Sequence, residues 1–95
     1  MKTLINKTTE IKLTENELTT YADLAKSVNN FTPEGGFNKK TMKLSLKIDE
    51  KLEGANGKIE LEDSEAEYLK ELTSKYPWAL KHKDVLAFVE AVESM

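Results

Sequence analysis

His82 is the only histidine, and its side chain has the chemistry of a general base. Lys81 and Lys83 flank it. Their positive charge opposes protonation of the ring and favours a neutral imidazole. No nucleophile or metalloprotease motif stands near it, and no further histidine or cysteine could complete a zinc site. We therefore interpret His82 as a surface residue or a residue at a helix start, and expect neither an enzyme nor a cofactor.

Between residues 59 and 72 the chain has six acidic residues and one basic residue, Lys70. The helix macrodipole favours acidic side chains at a helix start, and the glycine-centred calcium loop is missing, so a metal role is not expected. One cap and one or two acids would suffice for the helix. The acidic residues beyond this need predict a docking face for a basic partner, formed by Glu60, Glu62, Asp63, Glu65 and Glu67.

Two further groups of candidate partner-binding residues precede these acids. Lys39, Lys43 and Lys47 recur every four residues, so on a helix they form a basic ridge that could follow a phosphate backbone. A solvated helix face is the ordinary interpretation of such a ridge. Gly35 and Gly36 belong to a turn-rich connection over residues 31–37, where glycine permits positive φ.

Composition narrows the classes of function. Every one of the 14 basic residues is lysine, and the net charge is -3. Because arginine is the usual bidentate partner of guanine and phosphate, nucleic-acid binding and phosphoryl transfer lose support. The chain has no cysteine, which excludes disulfides and thiolate chemistry and fits a reducing compartment. No apolar run approaches a membrane span, so we expect a cytoplasmic protein without membrane contact.

The first half of the chain predicts two short strands and two helices. Leu4 and Ile5 form one strand, and residues 9–13 alternate as a half-buried second strand. Thr14 and Glu17 match a capping box, so we expect the first helix to begin there, with Leu18 on its apolar face. Residues 41–48 alternate as a strand would, yet their residue types and a helical apolar face favour a helix over 39–53. Asn38 is its expected N-cap, and Gly54 is the expected left-handed residue at its end.

The second half predicts one strand and two helices. Ile59 and Leu61 alternate with polar residues after an Asn-Gly turn. Asp63 or Ser64 is expected to cap a helix over 64–76, which Pro77 ends. The final helix, about 84–94, is the most hydrophobic element, and Tyr76 and Trp78 are expected to close the core between these two helices.

These elements predict a mostly helical α+β domain over 1–95, with about four helices and two or three short strands. Ninety-five residues, of which 39% are hydrophobic, allow one modest core. The strands around Ile11 and Ile59 have the same pattern of residue types, and each is followed directly by a predicted helix. We expect these two strands to pair. The predicted core consists of Leu18, Val28, Leu52, Leu69, Leu72, Trp78, Phe88 and Val89.

The stretch from Met42 through Ile59-Glu60-Leu61-Glu62-Asp63 to Trp78-Ala79 and Val85-Leu86-Ala87-Phe88-Val89 resembles small accessory proteins of tailed phages and prophages. The resemblance covers about the last 55 residues, and it carries no functional motif. It implies a protein that binds and inhibits a host or defence protein, or one that joins in virion assembly. It also implies a place in the host cytoplasm.

Three functions follow as hypotheses. The first is a non-enzymatic protein-binding module, an inhibitor or modulator of a host or defence protein. The second is a structural component that self-associates through the apolar 84–94 helix, because that helix exceeds the needs of one small core. Nucleic-acid binding is the third, and an enzyme is the least favoured.

Overall fold

Eight elements follow one another in the computed structural model, which describes residues 1–95. They are β1 (Lys2–Ile5), β2 (Thr8–Lys12), β3 (Leu18–Thr20), α1 (Tyr21–Asn29), α2 (Lys39–Glu53), β4 (Lys58–Leu61), α3 (Asp63–Lys75) and α4 (Lys83–Glu93). Four helices and two small antiparallel sheets confirm the predicted α+β class.

The strands pair differently from the prediction. β1 pairs with β4, where Leu4 lies opposite Ile59, and β2 pairs with β3 in a separate hairpin. Leu4 and Ile59 are both buried, so this register sends one apolar residue from each strand into the core. β4 pairs with β1 alone and β2 with β3 alone, and the hydroxyls of Thr9 and Thr19 hydrogen bond inside the β2–β3 hairpin. The expected pairing of the strands around Ile11 and Ile59 is therefore wrong.

The first helix begins six residues later than predicted, because its N-cap is Thr20 instead of Thr14 and its first residue is Tyr21. The Leu13 N–H donates to the Glu17 carbonyl at 2.9 Å, so this stretch closes the β2–β3 hairpin. A second capping box then starts α1, in which the Thr20 Oγ1 accepts from the Asp23 N–H at 3.3 Å. Leu18 lies on β3 with 46% of its surface exposed, so its placement in the core was wrong.

α2 occupies the predicted residues, Lys39–Glu53. Asn38 is its N-cap, and the Asn38 Oδ1 accepts from the Thr41 N–H at 2.9 Å. Ile48 is fully buried whereas Met42 is half exposed, which confirms the helical periodicity over the strand alternative. Gly54 has a φ of -89°, so the expected left-handed residue at the helix end is absent.

α3 and α4 also match the prediction closely, with different caps. The N-cap of α3 is Glu62 in place of Asp63 or Ser64, because the Glu62 N–H donates to Glu65 Oε1 at 2.8 Å. His82 is the N-cap of α4 and accepts from the Asp84 N–H at 3.0 Å. The interpretation of His82 as a residue at a helix start is confirmed.

The core contains 16 buried hydrophobic residues from all four helices and from β1 and β4. Of the predicted members, Val28, Leu52, Leu69, Leu72 and Phe88 are buried in it. Trp78 and Val89 pack against it half-buried. The Trp78 ring packs edge-on against Tyr76 at 4.6 Å and against Phe88 of α4 at 6.0 Å between centroids, and Tyr76 also packs against the core, so the predicted closure by Tyr76 and Trp78 is present.

Candidate functional site

An apolar groove of about 560 Å³ lies between α4 and the segment that leads into it. We call it the docking groove. Five hydrophobic side chains line it together with the three consecutive residues that lead into α4: Trp78, Leu80, Val85, Leu86, Val89, Lys81, His82 and Lys83. α3 ends at Lys75, two residues before Pro77. The segment 76–82 has no regular secondary structure and supplies one wall of the groove, while α4 supplies the other.

The groove exists because α4 is apolar on two faces. Val85, Phe88 and Val92 are buried on the core side. Leu86 projects on the other side with 60% of its surface exposed, and Leu80 faces solvent with 46% exposed. Single exposed side chains of this size are common, whereas these two line one groove together with Trp78.

Trp78 forms the floor of this surface where it meets the core. Its ring packs edge-on against Tyr76 at 4.6 Å between centroids. Its Nε1 is buried and donates to no acceptor in the structure. The N–H of a buried tryptophan usually has an acceptor, so the Trp78 Nε1 is an exception in this core.

The rim of the docking groove is basic. Lys81 and Lys83 line it together with His82, and no carboxylate does. The Lys83 ammonium meets Glu10 Oε2 at 3.0 Å, and this hydrogen bond raises the pKa of Lys83 above its ordinary value. Lys81 forms no ion pair and is exposed, so its charge is available to a partner.

A cluster of possible metal ligands, Glu10, His82 and Asp84, lies beside the groove, with ligand atoms within 4.8 Å of one another. The sequence did not reveal it, because Glu10 comes from β2 and the other two from the start of α4. Each of the three residues already has a hydrogen-bond or ion-pair partner. His82 Nδ1 accepts the Asp84 N–H, Asp84 Oδ2 accepts the Glu10 N–H at 2.7 Å, and Glu10 holds Lys83. The cluster fastens the hairpin to α4 and thereby fixes one wall of the groove.

The predicted acidic face is largely neutralised by local cations. Glu60 pairs with Lys58 at 2.8 Å, and this hydrogen bond lowers the pKa of Glu60 and raises the pKa of Lys58. Glu67 lies 3.5 Å from Lys70, and Asp63 lies 3.7 Å from the terminal ammonium. Glu62 is exposed and unpaired.

The prediction that Glu65 belongs to the acidic docking face is wrong. Only 2% of its surface is exposed, and its carboxylate binds the Lys51 ammonium and the Glu62 N–H. The side chain therefore joins α2 to α3 and is not available to a partner.

The other predicted residues lie where the sequence placed them. Lys39, Lys43 and Lys47 are exposed along α2 and form no ion pair, so the basic ridge is present. Gly35 and Gly36 lie in an exposed turn with φ of 85° and 82°. None of these residues, nor any of the acids, lines the docking groove. The sequence signal for the groove was the run of aromatic and basic residues from Lys75 to Lys83, together with Leu86 beside the apolar face.

Comparisons with protein-family models, with characterised proteins and with solved structures find nothing that matches this chain. None of the helices has the length and apolar character that crossing a membrane requires. The geometry of the groove and its charges are therefore the features that bear on function.

Proposed function

We propose that this protein is a non-enzymatic protein-binding module, and that the docking groove receives an acidic amphipathic segment of its partner. The observation that carries the proposal is the convergence of Leu80, Leu86 and Trp78 in one groove with a rim of lysines. Amphipathic segments bind grooves of this kind through apolar anchors at helical spacing.

The charge of the rim selects the partner. Because Lys81 has no ion-pair partner and no carboxylate lines the groove, a segment with acidic residues beside its apolar anchors gains attraction, whereas a basic segment meets like charge. This reverses the partner expected from the acidic face, since Glu60, Glu67 and Asp63 already have cationic neighbours.

The role we propose for this binding is inhibition or modulation of a host or defence protein. That role rests on the resemblance to phage accessory proteins alone. The groove itself supports the binding and the charge of the partner.

A second copy of the chain is the other candidate occupant, and the polarity of α4 favours it. The exposed face of the helix runs from Lys83 through Leu86 to Glu90 and Glu93. Two such helices packed antiparallel would place the lysines of one copy near the carboxylates of the other. Sedimentation velocity across a range of concentrations distinguishes the two occupants, since self-association must rise with concentration.

Photo-crosslinking tests the proposal against a matched control. A crosslinking amino acid replaces Leu86 in one variant and Leu46 in another, because these leucines are equally exposed on different helices, at 60% and 59%. In lysate of the source cells, we expect the variant at position 86 to crosslink to an acidic amphipathic segment that mass spectrometry can locate. The variant at position 46 should not.

Two results would contradict the proposal. If position 86 crosslinks only to a second copy and the unmodified protein sediments as a dimer, self-association is the function of the groove. If the segment crosslinked at position 86 is basic, the rim lysines do not select the partner.

A further inference from the structure

The turn between α2 and β4 contains Asn56 followed directly by Gly57, and it lies apart from the docking groove. Both residues are exposed, and the Asn56 side chain makes no hydrogen bond within the protein. Asparagine is a chemically labile residue, because the next main-chain nitrogen can reach its side-chain amide. A glycine in the next position has no β-carbon to hinder that approach.

The Gly57 nitrogen is also free to move. Its N–H donates to no acceptor in the protein. Gly57 has no positive φ, and no neighbouring atom lies within 4 Å of the place that a Cβ would take. An amide nitrogen in a hydrogen-bonded ladder must break that bond before it can turn toward a side chain, and the Gly57 nitrogen has no such bond to lose.

The other asparagines lack this combination. Each is followed by a residue with a side chain: Asn6, Asn16, Asn29, Asn30 and Asn38. Asn16 is similar to Asn56 in being exposed in a bend. The following N–H, on Glu17, donates to the Thr14 carbonyl at 3.4 Å. Asn16 is therefore an internal control, with the same side chain but without a free glycine nitrogen beside it.

We propose that Asn56 is a site of spontaneous modification, where the folded protein converts an amide to a carboxylate without an enzyme. Base removes the Gly57 N–H proton, and the nitrogen attacks the Asn56 Cγ. The new Cγ–N bond forms while the Cγ–Nδ2 bond breaks, and the Nδ2 group takes up a proton and leaves as ammonia. Water then opens the resulting cyclic imide. Attack at Cγ gives aspartate, and attack at the main-chain carbonyl carbon gives isoaspartate, in which the chain runs through Cγ.

The isoaspartate product changes the surroundings of Asn6, which directly follows β1. The Asn56 carbonyl accepts from Asn6 Nδ2 at 2.8 Å, and the Gly57 carbonyl accepts the Asn6 N–H at 3.0 Å. Asn6 Oδ1 in turn accepts the Ala22 N–H at 2.9 Å, in the first turn of α1. Isoaspartate takes the residue 56 carbonyl out of the main chain and lengthens that chain by one carbon. The modification therefore loosens the contacts that join the turn to β1 and α1, whereas aspartate only adds a negative charge.

Incubation of the folded chain in mildly alkaline buffer tests the proposal. Cleavage after lysine then releases residues 52–58 and residues 13–26, whose only asparagines are Asn56 and Asn16. Mass spectrometry measures the conversion of each amide to an acid, and labelling by an isoaspartate-specific methyltransferase measures the isoaspartate. We expect Asn56 to convert at least about tenfold faster than Asn16 and to yield both products.

Two variants separate this site from a general instability of the protein. Gly57→Ala should slow the conversion of Asn56 about tenfold, because a β-carbon hinders the attack, and it should fold as the parent does, because the turn has room for the methyl group. Asn56→Asp carries the charge of the products on a main chain of the original length. It should unfold at the urea concentration of the parent, whereas the purified isoaspartate form should unfold at a lower one.

Each of the other outcomes overturns the proposal. Equal rates at Asn56 and Asn16, or an unchanged rate in Gly57→Ala, would show that the free glycine nitrogen does not set the reaction. Conversion of Asn56 only in protein unfolded by urea would show that the folded turn protects the amide. An isoaspartate form as stable as Asn56→Asp would show that the modification leaves the contacts of Asn6 intact.

Discussion

The Lys51 ammonium binds the Glu65 carboxylate where the end of α2 meets the start of α3. The same carboxylate oxygen accepts the Glu62 N–H at 2.8 Å. Glu65 is buried, and Lys51 reaches it from a half-buried position, so the pair is partly shielded from solvent. One acidic residue of a solvated-looking cluster therefore holds two helices together and caps one of them.

Replacing Glu65 by alanine should destabilise the fold by about 2 to 3 kcal/mol, because the change leaves a lysine and a backbone amide without their acceptor. Urea unfolding measures this. Glu67→Ala is the matched control, since Glu67 is an acid of the same helix in an exposed pair, and it should cost less than about 1 kcal/mol. Equal losses in the two variants would place Glu65 at the surface.

The start of α1 makes a second prediction. Thr20→Ala should lower the free energy of unfolding by about 1 kcal/mol, because the Thr20 Oγ1 caps the helix by accepting the Asp23 N–H. Thr14→Ala, at the other threonine of capping-box spacing, should change it by less than about 0.5 kcal/mol. A larger loss at Thr14 would mean that the helix begins where the sequence first indicated.

Phe88 tests the packing behind the groove. It is fully buried and touches the Tyr21 and Trp78 rings, so Phe88→Ala should cost about 3 to 5 kcal/mol and unfold much of the protein. Thermal and chemical unfolding followed by circular dichroism measure the loss. Leu86→Ala, two residues away on the exposed face, should cost less than about 1 kcal/mol. Similar losses would contradict the two-faced description of α4.

The buried tyrosines predict a loss of stability at high pH. Burial raises the pKa of both Tyr21 and Tyr68 above the ordinary value of 10.0, with a smaller contribution from Asp84 and Glu71 respectively. A raised folded-state pKa means that the folded protein holds these protons more tightly than the unfolded chain. The contribution is therefore complete below pH 10.0 and is lost as the pH rises through the folded-state values.

Urea unfolding at a series of alkaline pH values measures that loss. The double variant Tyr21→Phe, Tyr68→Phe controls for the lysines, which lose charge in the same range. Its stability should fall less steeply with pH than that of the parent. Parallel curves would show that the two hydroxyls titrate alike in the folded and unfolded states.

The elements that the sequence predicted correctly depend on local signals. α2 is the clearest case, since Asn38, the apolar spacing through Ile48 and Leu52, and the helix-forming residues between them all lie within the helix or beside it. The β4–α3 succession and the position of His82 at a helix start are local in the same way. Each can be predicted without knowing what packs against it.

The features that the sequence missed depend on residues far apart in the chain. Two capping boxes compete around Thr14 and Thr20, and the β2–β3 hairpin decides between them. Glu65 is buried because Lys51 approaches from another helix. The docking groove exists because segment 76–82 packs beside α4, and no periodicity shows which apolar face of that helix stays exposed.

Emission from Trp78 gives the most direct measurement of the proposed function. It is the only tryptophan of the chain, and it lines the docking groove half-buried. The titrant is a helical peptide with leucines at i, i+3, i+4 and i+7 and glutamates elsewhere. The control peptide has the same leucines and carries lysines in place of the glutamates. The protein is held at a concentration at which it sediments as a monomer.

We expect the acidic peptide to change the Trp78 emission saturably, with an affinity that added salt weakens, and the basic peptide to leave it unchanged. Leu86→Glu should abolish the response, and Leu46→Glu, at an equally exposed leucine on α2, should preserve it. A response to both peptides alike, or one that survives Leu86→Glu, would contradict the account of a docking groove that selects an acidic partner.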